Sequence, residues 1–459
     1  MDAVRVELLV IGFGKGGKTL AAAMGRAGKR VAMVEQSDQM YGGTCINIGC
    51  VPTKALVHQS DLRRDDDETR GWYRHAVGSV QSLTSLLRGN NFRMLDTLDT
   101  VTVITGRASF VDARTVSVQA GDDQLTITAD TIVINTGARP VLPDIPGLAT
   151  SKHCVTSTDL ISTEDLPGHL AILGGGYLGI EFAAMYRRFG AEVTVFEAAE
   201  QMMSREDDDI ASAAVDILRA EGITLLTGSS VTELRDTEQG TTITYERAGQ
   251  THTVDADTVL VAAGRAPNTE GLNLAAAEVR TGARGSIAVD EYLRTSQPHI
   301  FALGDANGGP QFTYISLDDG RIVLDQLLGT GKRSTADRIA VPTTLFMTPP
   351  LATVGLTEKA ARAAGHSVRV ARKPIGQIAA MPRARIMGDT RGLMKFTIDA
   401  DTDHILGAAL LSIDAQELIN TVALAIRHGI TATELRDSIY THPSSTEAFN
   451  EVLATIVSD

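Results

Sequence analysis

Glu7-Leu8-Leu9-Val10-Ile11, followed by Gly12-Phe13-Gly14-Lys15-Gly16-Gly17 and then by Lys18 to Ala27, is the stretch that decides the fold. The first five residues read as a buried strand, the glycines as a turn and the remainder as a helix. A second strand is expected over 30–34, ending at Glu35. A GxGxxG turn between strand and helix lets the backbone approach a pyrophosphate, and the free amides and positive dipole end of the helix attract it. Gly12, Gly14 and Gly17 meet that pattern, and Glu35 stands where a carboxylate accepts hydrogen bonds from an adenosine ribose.

Outward from this unit, the same grammar returns. A strand over His169 to Leu173 runs into Gly174-Gly175-Gly176-Tyr177-Leu178-Gly179, a helix continues through Phe189, and a strand over Glu192 to Phe196 stops at Glu197. In both units the first glycine and the terminal acid are 23 residues apart. Each unit also has a later apolar strand closed by a glycine turn, Thr131 to Asn135 before Thr136-Gly137-Ala138 and Thr258 to Ala262 before Ala263-Gly264-Arg265. One glycine turn could serve helix packing alone, but the recurrence of strand, turn, helix, strand and acid predicts two nucleotide-binding modules in an α/β chain. The Glu197 carboxylate would repel a 2'-phosphate and no arginine follows in Ala198-Ala199-Glu200, so NADH is expected over NADPH. Beyond about residue 340 the pattern becomes mixed strands and helices without a fingerprint, which predicts a third domain.

The 459 residues include 42 basic and 56 acidic side chains, a net charge of -14, which disfavours nucleic acid and anionic lipid surfaces as partners. No apolar run approaches a membrane span, and the start of the chain shows no cationic leader, so a cytoplasmic location is expected. The acidic run Asp65 to Glu68 reads as a solvated loop or helix face. In a reducing compartment a close cysteine pair does redox chemistry or binds metal more readily than it staples a fold.

That pair lies in Tyr41-Gly42-Gly43-Thr44-Cys45-Ile46-Asn47-Ile48-Gly49-Cys50-Val51-Pro52-Thr53-Lys54. If a helix begins near Cys45, the two thiols are about one and a half turns apart, which permits a disulfide. A helix N-terminus also lowers a thiol's pKa. A zinc site would need two further ligands, and no CxxC or HxxxH supplies them, so no structural metal is expected. Cys154 has no motif context.

The run GGTCxNxGCxPxK, placed after GxGxxG and a strand-end acid, resembles the pyridine nucleotide disulfide oxidoreductases, the family of dihydrolipoamide dehydrogenase, glutathione reductase and mercuric reductase. Thr136-Gly137-Ala138-Arg139-Pro140, Gly264-Arg265-Ala266-Pro267-Asn268, Phe301-Ala302-Leu303-Gly304-Asp305 and His442-Pro443 with Glu447 extend the resemblance over essentially the whole chain. It implies two Rossmann-like domains, for FAD over 1–147 and 269–339 and for NAD over 148–268, with an α+β dimerisation domain over 340–459. The FAD contacts it implies are Gly12, Gly14, Gly17, Glu35, Gly43, Thr44, Lys54, Thr136, Gly137 and Asp305. Those implied for NAD are Gly174, Gly176, Tyr177, Gly179, Glu197 and Gly264, with Tyr177 as the aromatic cover of the flavin; a core aromatic at a helix start is the alternative for that tyrosine. Lys54 matches the lysine near the flavin and Glu181 its ion-pair partner. Cys50 matches the flavin-side thiolate and Cys45 the thiol that exchanges with substrate. His442 matches the acid/base that ionises Cys45 and Glu447 the group that orients it, reaching the disulfide of the other subunit in a homodimer.

Missing features narrow the oxidant. Three cysteines leave no C-terminal pair and no N-terminal CxxC, against mercuric reductase and large thioredoxin reductases, and Tyr440-Thr441-His442-Pro443 lacks the first histidine of the HxHP of dihydrolipoamide dehydrogenase. Gln311 to Asp319, Gly331 to Thr335, Phe346 to Pro350, Pro382 to Arg385, Lys18-Thr19-Leu20 and Met40-Tyr41 instead resemble the bacterial reactive-chlorine-resistance flavoproteins. That likeness implies a small-molecule oxidant, hypothiocyanous acid or copper(II), the latter captured transiently by the Cys45 and Cys50 sulfurs. Dihydrolipoamide or another disulfide is the second expectation. A flavin-bound redox sensor or metal-binding protein with little turnover is the reading from another class, disfavoured by the full set of acid/base residues.

Overall fold

The first fingerprint strand, Ala3–Ile11, lies at the centre of a seven-stranded sheet. A computed structural model describes residues 3–64 and 66–456; Met1, Asp2 and Asp65 of the stretches read above lie outside it. Strands Val31–Glu35 and Val101–Thr105 flank Ala3–Ile11 on one side in parallel, and Asp123–Ile134 flanks it on the other. The far edge of Asp123–Ile134 is shared. Its first half pairs antiparallel with Thr115–Ala120, and its second half pairs parallel with Ile300–Ala302, which arrives from much later in the chain. Leu8, Leu9 and Val10 are fully buried, as a parallel strand covered on both faces requires. The helix over Lys15–Arg26 packs against the helix over Thr313–Leu328, with Gly16 so close to Ser316 that no side chain fits between them.

The second fingerprint builds a five-stranded sheet, all parallel, in the order Thr224–Leu226, Glu192–Phe196, His169–Leu173, Thr258–Val261, Cys154–Val155. A meander of Ser229–Asp236, Thr241–Arg247 and Gln250–Ala256 hangs beside it. The two units touch through a short antiparallel ribbon, Ala138–Pro140 with Arg265–Pro267. These are the glycine-turn segments that follow Asp123–Ile134 and Thr258–Val261.

The C-terminal unit is a five-stranded antiparallel sheet, ordered Thr343–Leu345, Leu351–Gly355, Ile405–Leu411, Leu393–Asp399, Val368–Pro374. The helices Ala415–Arg427 and Ala448–Leu453 cover it, with Phe396 and Phe449 meeting edge-on at 5.4 Å. This unit is fastened to the second one by Lys395. Its ammonium, on a side chain only 4% exposed, pairs with Asp207 and Asp209 at 3.0 Å and with Glu358 at 2.9 Å.

One long helix, Thr69–Asp96, buttresses the cysteine region. Glu68, at the end of the acidic run, caps it by accepting from the backbone of Arg70 and Gly71. Tyr73 and Tyr186 join hydroxyls at 2.8 Å in the shared core, while Arg88 donates to Asn47 at 2.9 Å. Among the described residues no helix is long and apolar enough to cross a membrane.

Candidate active site

Both fingerprints are tied down the same way. Glu35 accepts from the backbone N–H of Phe13 at 2.9 Å, and Glu197 accepts from that of Gly175 at 2.8 Å. In each case the strand-end acid holds the residue just after the first glycine, so one carboxylate both shapes the turn and faces the cavity. Gly12 has φ of +99° and Gly174 of +118°, conformations glycine alone adopts freely; the carbonyls of Asn135 and Ala262 press on them. Burial pushes the Glu35 carboxyl up from its ordinary value.

The cysteine segment departs from the single helix expected. A short helix, Thr44–Asn47, carries Cys45; the chain then breaks at Gly49, and a second helix, Cys50–Leu62, starts on Cys50 itself. The break arises because Gly49 folds back over Thr44, whose carbonyl lies 2.9 Å from where a side chain would begin. Asn47 locks the preceding turn by donating to the carbonyls of Tyr41 and Gly43, both at 3.0 Å. Cys50 therefore opens the longer helix, where ionisation is favoured, while Cys45 sits on a helix of one turn.

The two sulfurs, both reduced, sit in opposite states. The neighbouring Cys45 thiol favours charge on Cys50, the Thr313 hydroxyl lies 3.5 Å from the Cys50 sulfur, and Lys54 adds its charge. Together these bring Cys50 down to about 6 against the cost of burial. Cys45 is driven up, first because its proton is held by the neighbouring thiolate and then by burial. Within one chain, the surroundings favour the thiolate at Cys50 and the thiol at Cys45.

Lys54, on the Cys50 helix, donates to Glu181 at 2.7 Å, and Glu181 also accepts from the Phe346 backbone at 3.0 Å. Glu181 belongs to the helix of the second fingerprint, Tyr177–Phe189, so this pair fixes one module against the other. Tyr177 stands at the start of that helix, and its hydroxyl donates to the buried Glu206 at 2.7 Å. His442 lies in the C-terminal unit, with Nδ1 3.1 Å from both oxygens of Glu447. That contact directs Nε2 outward as the free acceptor. The imidazole is 75% exposed and is not part of the wall around its own chain's cysteines.

That wall encloses a cavity of about 1740 Å³, above the range of an ordinary single-ligand pocket. Of the residues expected at the flavin, Gly12, Gly14, Glu35, Gly43, Thr44, Lys54, Thr136, Gly137 and Asp305 line it; Gly17 packs behind. Of those expected at the nicotinamide, Gly176, Tyr177, Glu197 and Gly264 line it, while Gly174 and Gly179 lie behind. Cys45 and Cys50 face the same space, and Glu181 reaches it through Lys54. The buried Thr136 hydroxyl has no partner, and Gly176 has nothing within 4 Å of its open face. An elongated dinucleotide fits both observations. Asp305 is pushed up by burial and opposed by the Arg265 guanidinium.

Several contributors escape sequence reasoning. Asn135 donates to the Gly12 carbonyl at 3.1 Å, Ser316 accepts from the Gly16 N–H at 3.1 Å, and Thr313, Glu206 and Arg265 each complete a contact across the fold. Arg205, eight residues past Glu197, also lines the cavity and carries positive charge into the part of it lined by Glu197 and Glu206.

Two dinucleotide modules, a dithiol between them and a C-terminal sheet define a flavin- and nicotinamide-linked oxidoreductase, and the chain belongs to the pyridine nucleotide-disulphide oxidoreductases. The family pattern matches residues 6–320, and that of the family's dimerisation domain matches 341–453. The cofactors of this family are a flavin and a pyridine nucleotide, and its dimerisation domain supports a homodimer. Among individual relatives, the chain is 44% identical over 452 residues to the probable pyridine nucleotide-disulfide oxidoreductase RclA of Escherichia coli strain K12, covering 98% of this chain and 99% of that one. It is 34% identical to a mercuric reductase of Staphylococcus aureus, covering 99% of this chain and 83% of the relative. To a dihydrolipoyl dehydrogenase of Geobacillus stearothermophilus it is 33% identical, covering 96% and 94%. The solved structure described as HOCl-induced flavoprotein disulfide reductase RclA from Escherichia coli superposes with a TM-score of 0.92 at 44% identity, covering 98% of this chain and 99% of that one. Its Cu(II) complex superposes with a TM-score of 0.93 at 44% identity, covering 99% of both.

Proposed function

We propose that the chain, as a cytoplasmic homodimer, passes electrons from NADH through FAD and the Cys45/Cys50 pair to a small oxidant, hypothiocyanous acid or copper(II). The observation that carries this is the placement of two neighbouring reduced sulfurs, with Lys54 beside them, on the wall of one cavity lined by both glycine fingerprints. Residues 1–147 and 269–339 hold FAD, 148–268 hold NADH and 340–459 form the dimer. Glu35, Thr136 and Asp305 bind FAD along its length, and bound FAD supplies the two-electron link between nicotinamide and disulfide. Glu197 holds the adenosine ribose of NADH, and Tyr177 shields the space where nicotinamide enters. Lys54, steadied by Glu181, places positive charge where negative charge builds during reduction.

The chain's own thiols do the rest. Reduction of the disulfide by two electrons leaves Cys50 as thiolate and Cys45 protonated. His442 of the partner subunit, held by its Glu447, takes the Cys45 proton. The Cys45 thiolate then attacks the sulfur of hypothiocyanous acid; an S–S bond forms and the S–O bond breaks, releasing hydroxide, which takes the proton back from the His442 imidazolium and leaves as water. Cys50 attacks Cys45, restoring the disulfide and releasing thiocyanate. With copper(II), two ions each take one electron from the dithiolate, giving two copper(I) ions and the disulfide. The Cu(II) complex of the RclA relative supports the copper arm.

The test is anaerobic reduction with NADH, followed by the long-wavelength thiolate-to-flavin absorbance while hypothiocyanous acid, copper(II), lipoamide or glutathione disulfide is added. Fastest discharge by either of the first two supports the proposal. Fastest discharge by lipoamide or glutathione disulfide overturns it, and no discharge by any of the four marks a sensor without turnover.

A further inference from the structure

Lys18 has no place in the scheme above, yet it occupies an unusual position. It follows the last glycine of the first fingerprint and is only 4% exposed. Its ammonium donates to the Gly42 carbonyl at 3.3 Å and to the Asn91 side-chain oxygen. Among the described residues no carboxylate lies within ion-pairing distance of it. A buried, unpaired ammonium is costly, and an apolar residue would fill that place more stably. Gly42 lies in the turn closed by the Gly43 N–H on the Met40 carbonyl, three residues before Cys45, so the ammonium is bonded to the segment that carries the outer thiol.

We infer that Lys18 is a positioning residue that supplies the counter-charge for the Cys45 thiolate when oxidant is reduced. The inference rests on the functional reading above. Cys50, Thr313 and Lys18 bear on Cys45 within the chain, and in the proposed dimer His442 of the partner subunit joins them. The attraction is mutual: Cys45 supports the charge on Lys18, while burial and Lys15 pull that lysine down to about 8.

The test uses the FAD-loaded dimer reduced with NADH. Iodoacetamide alkylation of Cys45 is followed by peptide mass spectrometry across pH in wild type, Lys18→Met and Asn91→Asp. The Asn91→Asp change keeps an oxygen beside the ammonium and adds the missing carboxylate. It should raise thermal stability while moving the Cys45 pH profile upward, slowing alkylation at pH 7 by about tenfold for each unit moved. Lys18→Met should move the profile in the same direction, and Lys18→Arg should restore it. If Lys18→Met does not fold, Asn91→Asp alone decides. An unmoved profile in Asn91→Asp overturns the inference while leaving the main reading standing. Failure of NADH to expose Cys45 in wild type overturns both.

Discussion

Lys54 and Glu181 meet at 2.7 Å across the boundary between the two nucleotide modules, one on the cysteine helix and the other on the second fingerprint's helix. The Glu181 side chain is 6% exposed and the Lys54 side chain 31%. Lys54→Met therefore strands a buried carboxylate with the Phe346 N–H as its remaining partner. Stability should fall by on the order of 3 kcal/mol, and NADH-driven flavin reduction should slow by roughly 100-fold. Urea unfolding and stopped-flow absorbance measure the two losses separately.

The depressed Cys50 thiol predicts an acid limb. With its pKa near 6, the thiolate persists at neutral pH and is protonated as pH falls through that value. The long-wavelength absorbance of the NADH-reduced enzyme should bleach with the same midpoint. Thr313→Val removes a hydroxyl donor to the charged form, so the midpoint should move up by about half a unit to one unit, with Thr313→Ser restoring it. A midpoint unchanged in Thr313→Val would show that the hydroxyl does not stabilise the thiolate.

The outward placement of His442 predicts complementation between subunits. Cys45→Ser and His442→Ala homodimers should each reduce oxidant poorly while still accepting electrons from NADH. After mixing and subunit exchange, each hybrid dimer carries one intact pair, so roughly a quarter of wild-type turnover should return. No recovery on confirmed exchange would place the histidine in its own subunit's site.

Nicotinamide preference follows from Glu197. A 2'-phosphate beside this carboxylate is repelled, so NADH should exceed NADPH in kcat/KM by more than about tenfold. Arg205→Ala should leave that ratio unchanged. Steady-state rates with both cofactors settle the point, and a ratio that responds to Arg205 would assign the discrimination there instead.

The sequence revealed those parts of the site that are written locally. The strand, glycine turn, helix and acid of each module are contiguous, and His169–Leu173 and Glu192–Phe196 form with the bounds their patterning predicts. The cysteine segment was legible in chemistry but not in shape, because the break at Gly49 depends on its fit against Thr44. What stayed hidden is long-range. Ser316 meets Gly16 from 300 residues away and Thr313 meets Cys50 from 263, and neither carries a periodic or compositional signal. Asn91 is one polar residue among many on a long helix until the fold brings Lys18 to it.

Glu197 has a second hold on the chain: its other oxygen accepts from the Ala199 N–H at 2.8 Å, while the first binds Gly175. The same carboxylate thus staples the turn and the loop after the strand before any ligand arrives. Removing the acid would untie two backbone segments at once, so the position is constrained by architecture whatever nucleotide it meets, and any redesign there has to supply new fastenings for both.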